Sequence, residues 1–481
     1  MVFSTILFLF RFLPITLALY YLAPAKLKNT VLFLCSLVFY CWGEVRFFPI
    51  MIALILLNYL CGLGLERFDG SKPARKCFLL AGLVGSLGML FYFKYANFVL
   101  SSANALLGTS FSPIQGISTL PLGISFYTFQ TLSYTIDVYR RDVKTEHNII
   151  DFGAYVVMFP QLIAGPIVKY RDVAAQLHVT HGRYNLKQIE DGMTLFTFGL
   201  AKKVLLADTI GALWTDIIGI ADSPSTTFVG LANASTALVW LGVIAYSLQL
   251  YFDFSGYSMM GIGMGKMLGF DFPQNFNYPY ISASITEFWR RWHMTLSGWF
   301  REYVYIPLGG NRVRLGRWVL NLLVVWGLTG LWHGAAWTFV LWGLYFAVFL
   351  LLEKLFLGRL LRRLPVLRHV YVLTAALFSF VLFDASSLSA AIGAAGAMLG
   401  LGHLPMWDGG TLYYLHSYAP VLLAAAVGST PLPAVLCRRM AAGRAGRVLD
   451  ALEPIALLAL LAVCTAFLVS GSANPFLYFR F

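Results

Sequence analysis

Charge is what this chain has least of. Asp, Glu, Lys and Arg make up 12% of its 481 residues, where a soluble protein carries about 25%. That scarcity excludes a separate soluble domain, and residues 1–481 read as one integral membrane domain. Acidic residues are scarcer than basic ones, 22 against 35, for a formal charge of +13. No nucleic-acid partner follows from this. The basic residues sit in short clusters between apolar runs, which is the positive-inside pattern. Cys35, Cys41, Cys61, Cys77, Cys437 and Cys464 form no metal-type pair, so packed free thiols are expected. No basic residue precedes Arg11, so the n-region of a signal peptide is missing and 3–22 reads as a retained first span.

Familiar soluble-enzyme motifs are also absent. There is no Gly-x-Ser-x-Gly elbow to support a serine hydrolase. Gly261-Ile262-Gly263-Met264-Gly265-Lys266 lacks the strand and spacing of a phosphate loop. Gly261 and Gly265 fit a small-residue helix contact better. His178 and His181 lie on a polar stretch with no third ligand nearby, so both are expected to be solvated and no metal is expected.

Long apolar runs are what the chain does have. Those near the length of a span, about 17–25 residues, are 3–22, 29–42 with extension, 47–65, 77–95, 119–138, 191–207, 228–252, 318–332, 335–353, 370–388, 412–436 and 455–471. Several are marginal, so about 10–12 spans are predicted. Basic clusters follow the first, third, fifth, ninth and eleventh of these runs. Placing all of them in the cytoplasm puts both termini outside.

Three irregular stretches stand out. Residues 151–168 carry Pro160, Gly165 and Pro166 in a segment too short to span, followed at once by Lys169 and Arg171. A re-entrant hairpin fits, and irregular backbone at membrane depth must be buried or line a cavity; Gln161 and Pro166 are candidate lining residues. Phe288, Trp292, Leu296, Trp299 and Tyr303 repeat as one helical stripe opposite Glu287, Arg290, Arg291, Arg301 and Glu302. The pattern predicts a helix in the headgroup plane over 287–303, with His293 on its border. Asp253 lies among aromatics in Tyr251–Tyr257 and either pairs with a cation or lines the cavity.

The third stretch is Leu331-Trp332-His333-Gly334, a polar island between two apolar runs. A helix over 318–332 rises roughly 22 Å, less than the hydrocarbon thickness of about 30 Å. His333 is therefore expected inside the membrane, with Gly334 permitting a turn. An ionisable residue at depth carries a functional default. The structural alternative is a histidine hydrogen-bonded between helices.

Pro121–Gln130, Pro160–Pro166, Glu287–His293 and Leu331–Gly334 together resemble the membrane-bound O-acyltransferase family. Tyr305–Arg312 and Asn474–Phe479 are similar to its bacterial alginate-acetylating branch. The resemblance implies an all-α ring of about 11 transmembrane helices, with re-entrant and interfacial helices around a central cavity. It implies His333 as the catalytic histidine and His293 as a second one. It implies a bacterial cytoplasmic membrane protein that takes an acyl group from acetyl-CoA or another thioester, with no bound cofactor. The group would pass through an extracytoplasmic partner protein toward polysaccharide hydroxyls, with D-alanyl transfer to a cell-wall polymer as the alternative. Arg290, Arg291 and Arg312 are candidates to hold the donor, against plain positive-inside anchoring. Asn321 and Trp332 are candidate cavity residues and oxyanion donors. A proton-coupled transporter is the competing class, but the two halves show no repeat. The aromatic end, Gly471–Phe481, reads equally as a partner-docking site and as an interfacial belt.

Overall fold

The computed structural model describes residues 2–116, 120–163, 165–178, 185–218, 234–401, 404–443, 446–471 and 477. Among them every regular element is helical. The chain forms two compact units, one of Met1–Phe196 with Tyr257–Gln274 and one of Thr197–Gly256 with Asn275–Phe481. The first holds α1 (Leu13–Leu22), α2 (Lys28–Glu44), α3 (Phe48–Arg67), α4 (Lys72–Leu90), α5 (Ala96–Leu107), α6 (Ile124–Arg140), α7 (Ile149–Val157), α8 (Phe159–Leu162) and α9 (Tyr170–His178). The chain crosses between units within α10 (Leu186–Ala201) and α12 (Thr236–Met267). The second holds α11 (Asp208–Ile218), α13 (Ile285–Arg291), α14 (Met294–Phe300), α15 (Leu315–His333), α16 (Trp337–Leu352), α17 (Gly358–Leu361), α18 (Leu367–Asp384), α19 (Leu388–Met398), α20 (Gly409–Gly428), α21 (Leu432–Ala441) and α22 (Gly446–Ser470).

Among the described residues, seven helices are long and apolar enough to cross a membrane, or eight if α20 and α21 form one span bent by 69°. That is fewer than the sequence reading expected, for identifiable reasons. Two expected spans merge into one helical run, Ala25–Arg67, because the short helical turn Val45–Phe47 joins α2 directly to α3. The run at 119–138 begins late, after left-handed Gly123, and gives a 17-residue helix with almost every side chain buried. The 3–22 run is helical only over Phe8–Leu22, short of a span. The 412–436 run breaks after Gly428. Part of the 228–252 run lies outside the described residues, and α12 starts at Thr236.

Within the first unit, α6 is glued to its neighbours by polar side chains. Thr135 donates to Asn58 Oδ1 at 2.7 Å, and Asn58 Nδ2 donates to Ser86 at 2.9 Å. Such bonds substitute for the hydrophobic drive that lipid-facing helices lack. The 151–168 stretch turns back on itself as expected. Met158 leaves helical geometry between α7 and α8, and the Tyr155 hydroxyl donates to the Val168 carbonyl at 3.0 Å. Gln161 is fully buried there, its amide donating to the Tyr155 carbonyl, and Pro166 is buried beside it. In the same unit a Cβ on Gly261 would sit 2.6 Å from the Pro160 carbonyl oxygen. The expected small-residue contact therefore exists at Gly261. Gly265 instead faces the Phe272 ring.

All six cysteines are free. Cys61 and Cys464 are buried as expected, while Cys77 and Cys437 are exposed.

In the second unit α15 and α16 form a tight antiparallel hairpin. A Cβ on Gly330 would meet the Phe339 carbonyl at 2.1 Å, and one on Gly343 the Trp326 carbonyl at 2.1 Å. Only glycine lets the two backbones approach so closely.

Candidate active site

His333 is the last residue of α15. The helix starts at Leu315, three residues earlier than the run that predicted it, so its 19 residues rise about 28 Å. Gly334 then runs extended, with φ −164°. The expected glycine turn is therefore not a left-handed one. Glycine is required there by packing, because a Cβ would stand 2.1 Å from the Phe339 ring.

The His333 imidazole is 5% exposed and sits in an aromatic box. Ring centroids of Trp332, Trp342 and Phe383 stand 5.0, 5.0 and 5.3 Å away, all edge-on. The His293 ring lies 6.5 Å from it and 5.7 Å from Trp332. The structure thus brings together three of the residues singled out from sequence: His333, His293 and Trp332.

His293 arrives by a route the periodicity did not show. The expected single helix over 287–303 is two helices, α13 and α14, broken at Trp292 and His293. His293 adopts left-handed backbone, φ 42° and ψ 53°, which costs a non-glycine residue about 1–2 kcal/mol. Pairing with a neighbouring segment holds the break. Met294 N–H donates to the Asn275 carbonyl and Asn277 N–H to the Arg291 carbonyl, both at 2.9 Å. The His293 side chain is completely buried, with Nδ1 3.1 Å from Asn275 Oδ1. Burial drives its pKa down to about 3, so the ring is neutral.

The aromatic face of α13 and α14 is also not laid against headgroups. It packs on protein: Trp289 on Trp326 at 4.7 Å, Phe288 on Phe346 at 6.4 Å and Trp292 on Phe380 at 5.5 Å. The start of α13 is anchored by capping. The Ser284 hydroxyl accepts from Glu287 N–H at 3.0 Å, and Glu287 accepts from Ala283 N–H at 2.9 Å. Glu353 accepts from Thr286 N–H and hydroxyl at 3.1 and 2.8 Å.

A cavity of about 600 Å³ opens beside this layer. Arg290, Arg301 and Lys354 give it a cationic rim, and its inner wall includes Trp289, Trp326 and Thr329. Thr329 is one helical turn before His333. Trp289 stands 5.6 Å from Trp342, so one aromatic layer separates the cavity from the imidazole.

Other expected site residues have different placements. Arg291 pairs with Glu287 at 2.9 Å, and Arg312 is exposed on its loop; neither lines the cavity. Asn321 is no oxyanion donor. Its amide donates to the Leu308 and Gly310 carbonyls, each at 3.1 Å, and so staples that loop. Asp253 takes the cation-pairing alternative, with Lys203 Nζ at 2.8 Å. Lys203 also reaches Asp208 at 2.5 Å, and Asp253 Oδ2 accepts Leu477 N–H at 2.9 Å. Sequence reasoning missed Asn275, Trp342, Phe383 and Lys203. Nothing in their spacing marks them, because each makes its contact across different elements, Trp342 from the next helix of the hairpin.

Of the two histidines expected to be solvated, His178 is exposed, as expected, but a carboxylate partner stands beside it. His178 Nε2 lies 3.1 Å from Glu146. With Asp151 these residues bring one ligand atom each within 4.8 Å of one another, a set able to hold a divalent ion. His181 lies outside the described residues.

Membrane-length helices around two neighbouring buried imidazoles have the build of a polytopic membrane enzyme. Residues 78–390 match the MBOAT, membrane-bound O-acyltransferase family. The chain is 43% identical over 412 residues to the "Probable alginate O-acetylase AlgI" of Azotobacter vinelandii, covering 85% of this chain and 80% of that one. It is 44% identical over 395 residues to the protein of the same description from Pseudomonas aeruginosa, covering 81% and 73%. With the "Peptidoglycan O-acetyltransferase" of Helicobacter pylori it shares 36% over 384 residues, covering 74% and 70%. The chain therefore belongs to the membrane-bound O-acyltransferase family and is a multi-span membrane acyltransferase.

Proposed function

We propose that this protein moves an acetyl group from a cytoplasmic thioester, acetyl-CoA or a related donor, across the bacterial cytoplasmic membrane. The group passes through an extracytoplasmic partner protein to hydroxyls of a polysaccharide. Both termini face outward, and the thioester is a co-substrate, so no resident cofactor is needed. The relatives' names, alginate O-acetylase and peptidoglycan O-acetyltransferase, both denote polysaccharide acetylation.

The observation that carries this reading is His333 at the end of α15, one aromatic layer from a cavity with a cationic rim. Arg290, Arg301 and Lys354 suit the phosphates of a thioester carrier, and the apolar inner wall suits the acyl arm. An alcohol is too weak an acid to ionise first. As its oxygen attacks the thioester carbonyl, His333 takes the proton. The tetrahedral oxyanion collapses and expels the thiolate, which takes that proton back. One acyl C–S bond is replaced by one acyl C–O bond. A general base of this kind contributes typically about 10²–10⁴-fold.

The test is His333→Ala and His333→Asn in the purified full chain, assayed for transfer from a labelled thioester. Both should fold, run monodisperse in detergent and lose transfer. A folded variant that keeps most of its activity removes His333 from the chemistry.

A further inference from the structure

The second histidine of the pair has a side-chain neighbour that fixes its chemistry. Asn275 is 1% exposed. Its Oδ1 faces three groups: Thr295 N–H at 3.3 Å, Thr295 Oγ1 at 2.9 Å and His293 Nδ1 at 3.1 Å. A backbone N–H can only donate. The atom it points at must be the amide oxygen, so the orientation of the Asn275 amide is decided. An imidazole nitrogen facing that oxygen must then carry hydrogen. A neutral imidazole has only one N–H.

We infer that Asn275 is a positioning residue that locks His293 in its Nδ1–H tautomer and leaves Nε2 as a lone-pair acceptor inside the site. This rests on the acyltransfer reading of the two-histidine centre. Four further observations support it. His293 Nε2 is buried and no donor reaches it among the described residues. Burial keeps the ring neutral, so no second proton supplies an N–H at Nε2. Asn275 also holds the backbone of the break, through its carbonyl and Met294 N–H, and so fixes ring position as well as tautomer. Phe254, edge-on at 4.8 Å, closes one side of the ring.

The consequence is a division of labour. With Nε2 unprotonated, neutral His293 cannot donate to a developing oxyanion. It can accept a hydrogen bond from the incoming acceptor hydroxyl and so aim that oxygen at the thioester carbonyl. A buried asparagine in a loop thereby acts on a reaction it does not touch.

The experiment uses the full chain in detergent with ¹⁵N-labelled histidine. The His293 resonances are assigned by their loss in His293→Gln. In the parent protein His293 should show a protonated Nδ1 and an unprotonated Nε2. Asn275→Ala should abolish that single tautomer and lower kcat for transfer roughly 10²-fold, with little change in KM for the thioester. Asn275→Asp keeps the acceptor oxygen and adds a charge that favours imidazolium. It should keep the Nδ1–H signal and move the acidic limb of the pH–rate profile to higher pH. A protonated Nε2 with bare Nδ1 in the parent overturns the proposal. So does an Asn275→Ala protein that keeps both the tautomer and kcat. If His333→Ala stays active, the acyltransfer reading falls on its own, while the nitrogen spectrum still decides the tautomer.

Discussion

At the scale of single residues, this chain concentrates its few ionisable groups where burial makes them consequential. Lys203 is 2% exposed and Asp253 1% exposed, and the one ammonium faces two carboxylates, Asp253 at 2.8 Å and Asp208 at 2.5 Å. Removing one partner strands the other in a low-dielectric interior, at a cost of about 3–5 kcal/mol. Lys203→Met should therefore show a large loss of thermal stability in detergent, and adding Asp253→Leu should recover only part of it, because Asp208 still lacks its cation. An unchanged unfolding temperature for Lys203→Met would mean the pair is not buried as described. His293 gives a pH signature. Its folded pKa lies below the ordinary 6.5, at about 3, so below pH 6.5 the unfolded chain binds more protons. Its contribution to stability is present above pH 6.5 and falls as pH drops, by about 2 kcal/mol between pH 6.5 and 5. His293→Gln should lack that part of the acid destabilisation, as read from unfolding midpoints across the range. Both histidines were visible in the sequence, His333 as an isolated polar residue among apolar ones and His293 on the border of a stripe. Their partners were not. Asn275 lies 18 residues from His293, and only folding brings them together.

At the scale of elements, close backbone approach governs the α15–α16 hairpin. Gly330 has the Phe339 carbonyl where a Cβ would go, whereas Gly327, on the same helix, has nothing within 4 Å. Gly330→Ala should force the helices apart, costing about 1–3 kcal/mol and impairing transfer through the displaced His333. Gly327→Ala should be neutral or slightly stabilising, since alanine is the better helix former by about 1 kcal/mol. Equal behaviour of the two variants in thermal unfolding and transfer assays would contradict the packing. The existence of these helices was legible as apolar runs. Their ends were not, because a run records burial in any apolar medium. The 119–138 run became a helix sunk within protein rather than facing lipid. The 287–303 stripe marked its buried face correctly. It could not show the break, since Trp292-His293 carries no glycine or proline to announce one.

At the scale of the whole molecule, the topology proposed from the positive-inside pattern has the rim of the cavity facing the cytoplasm. Cysteines placed at Arg290 or Arg301, both exposed, should label with reagents that enter the cytoplasm and resist impermeant reagents on intact cells. Labelling from outside would invert the topology and the donor side with it. The end of the aromatic segment read equally as a docking site or an interfacial belt, Tyr478–Phe481, lies outside the described residues. On the docking reading its deletion should spare insertion and donor binding while stopping polymer acylation, and full acylation by the truncated protein would leave only the anchoring reading. By itself the sequence determined that the protein lives in a membrane, which motifs it shares with its family and where its rare ionisable residues fall. Hydropathy, charge clusters and spacing are local properties, and local properties are written along the chain. Only the tertiary structure decided that Asp253 pairs with Lys203 and that Asn321 staples a loop. The same holds for the wall of tryptophans between His333 and the cavity, and for the asparagine set against His293. Each depends on a contact between side chains or loops that no local pattern records, and those contacts form only when the chain folds.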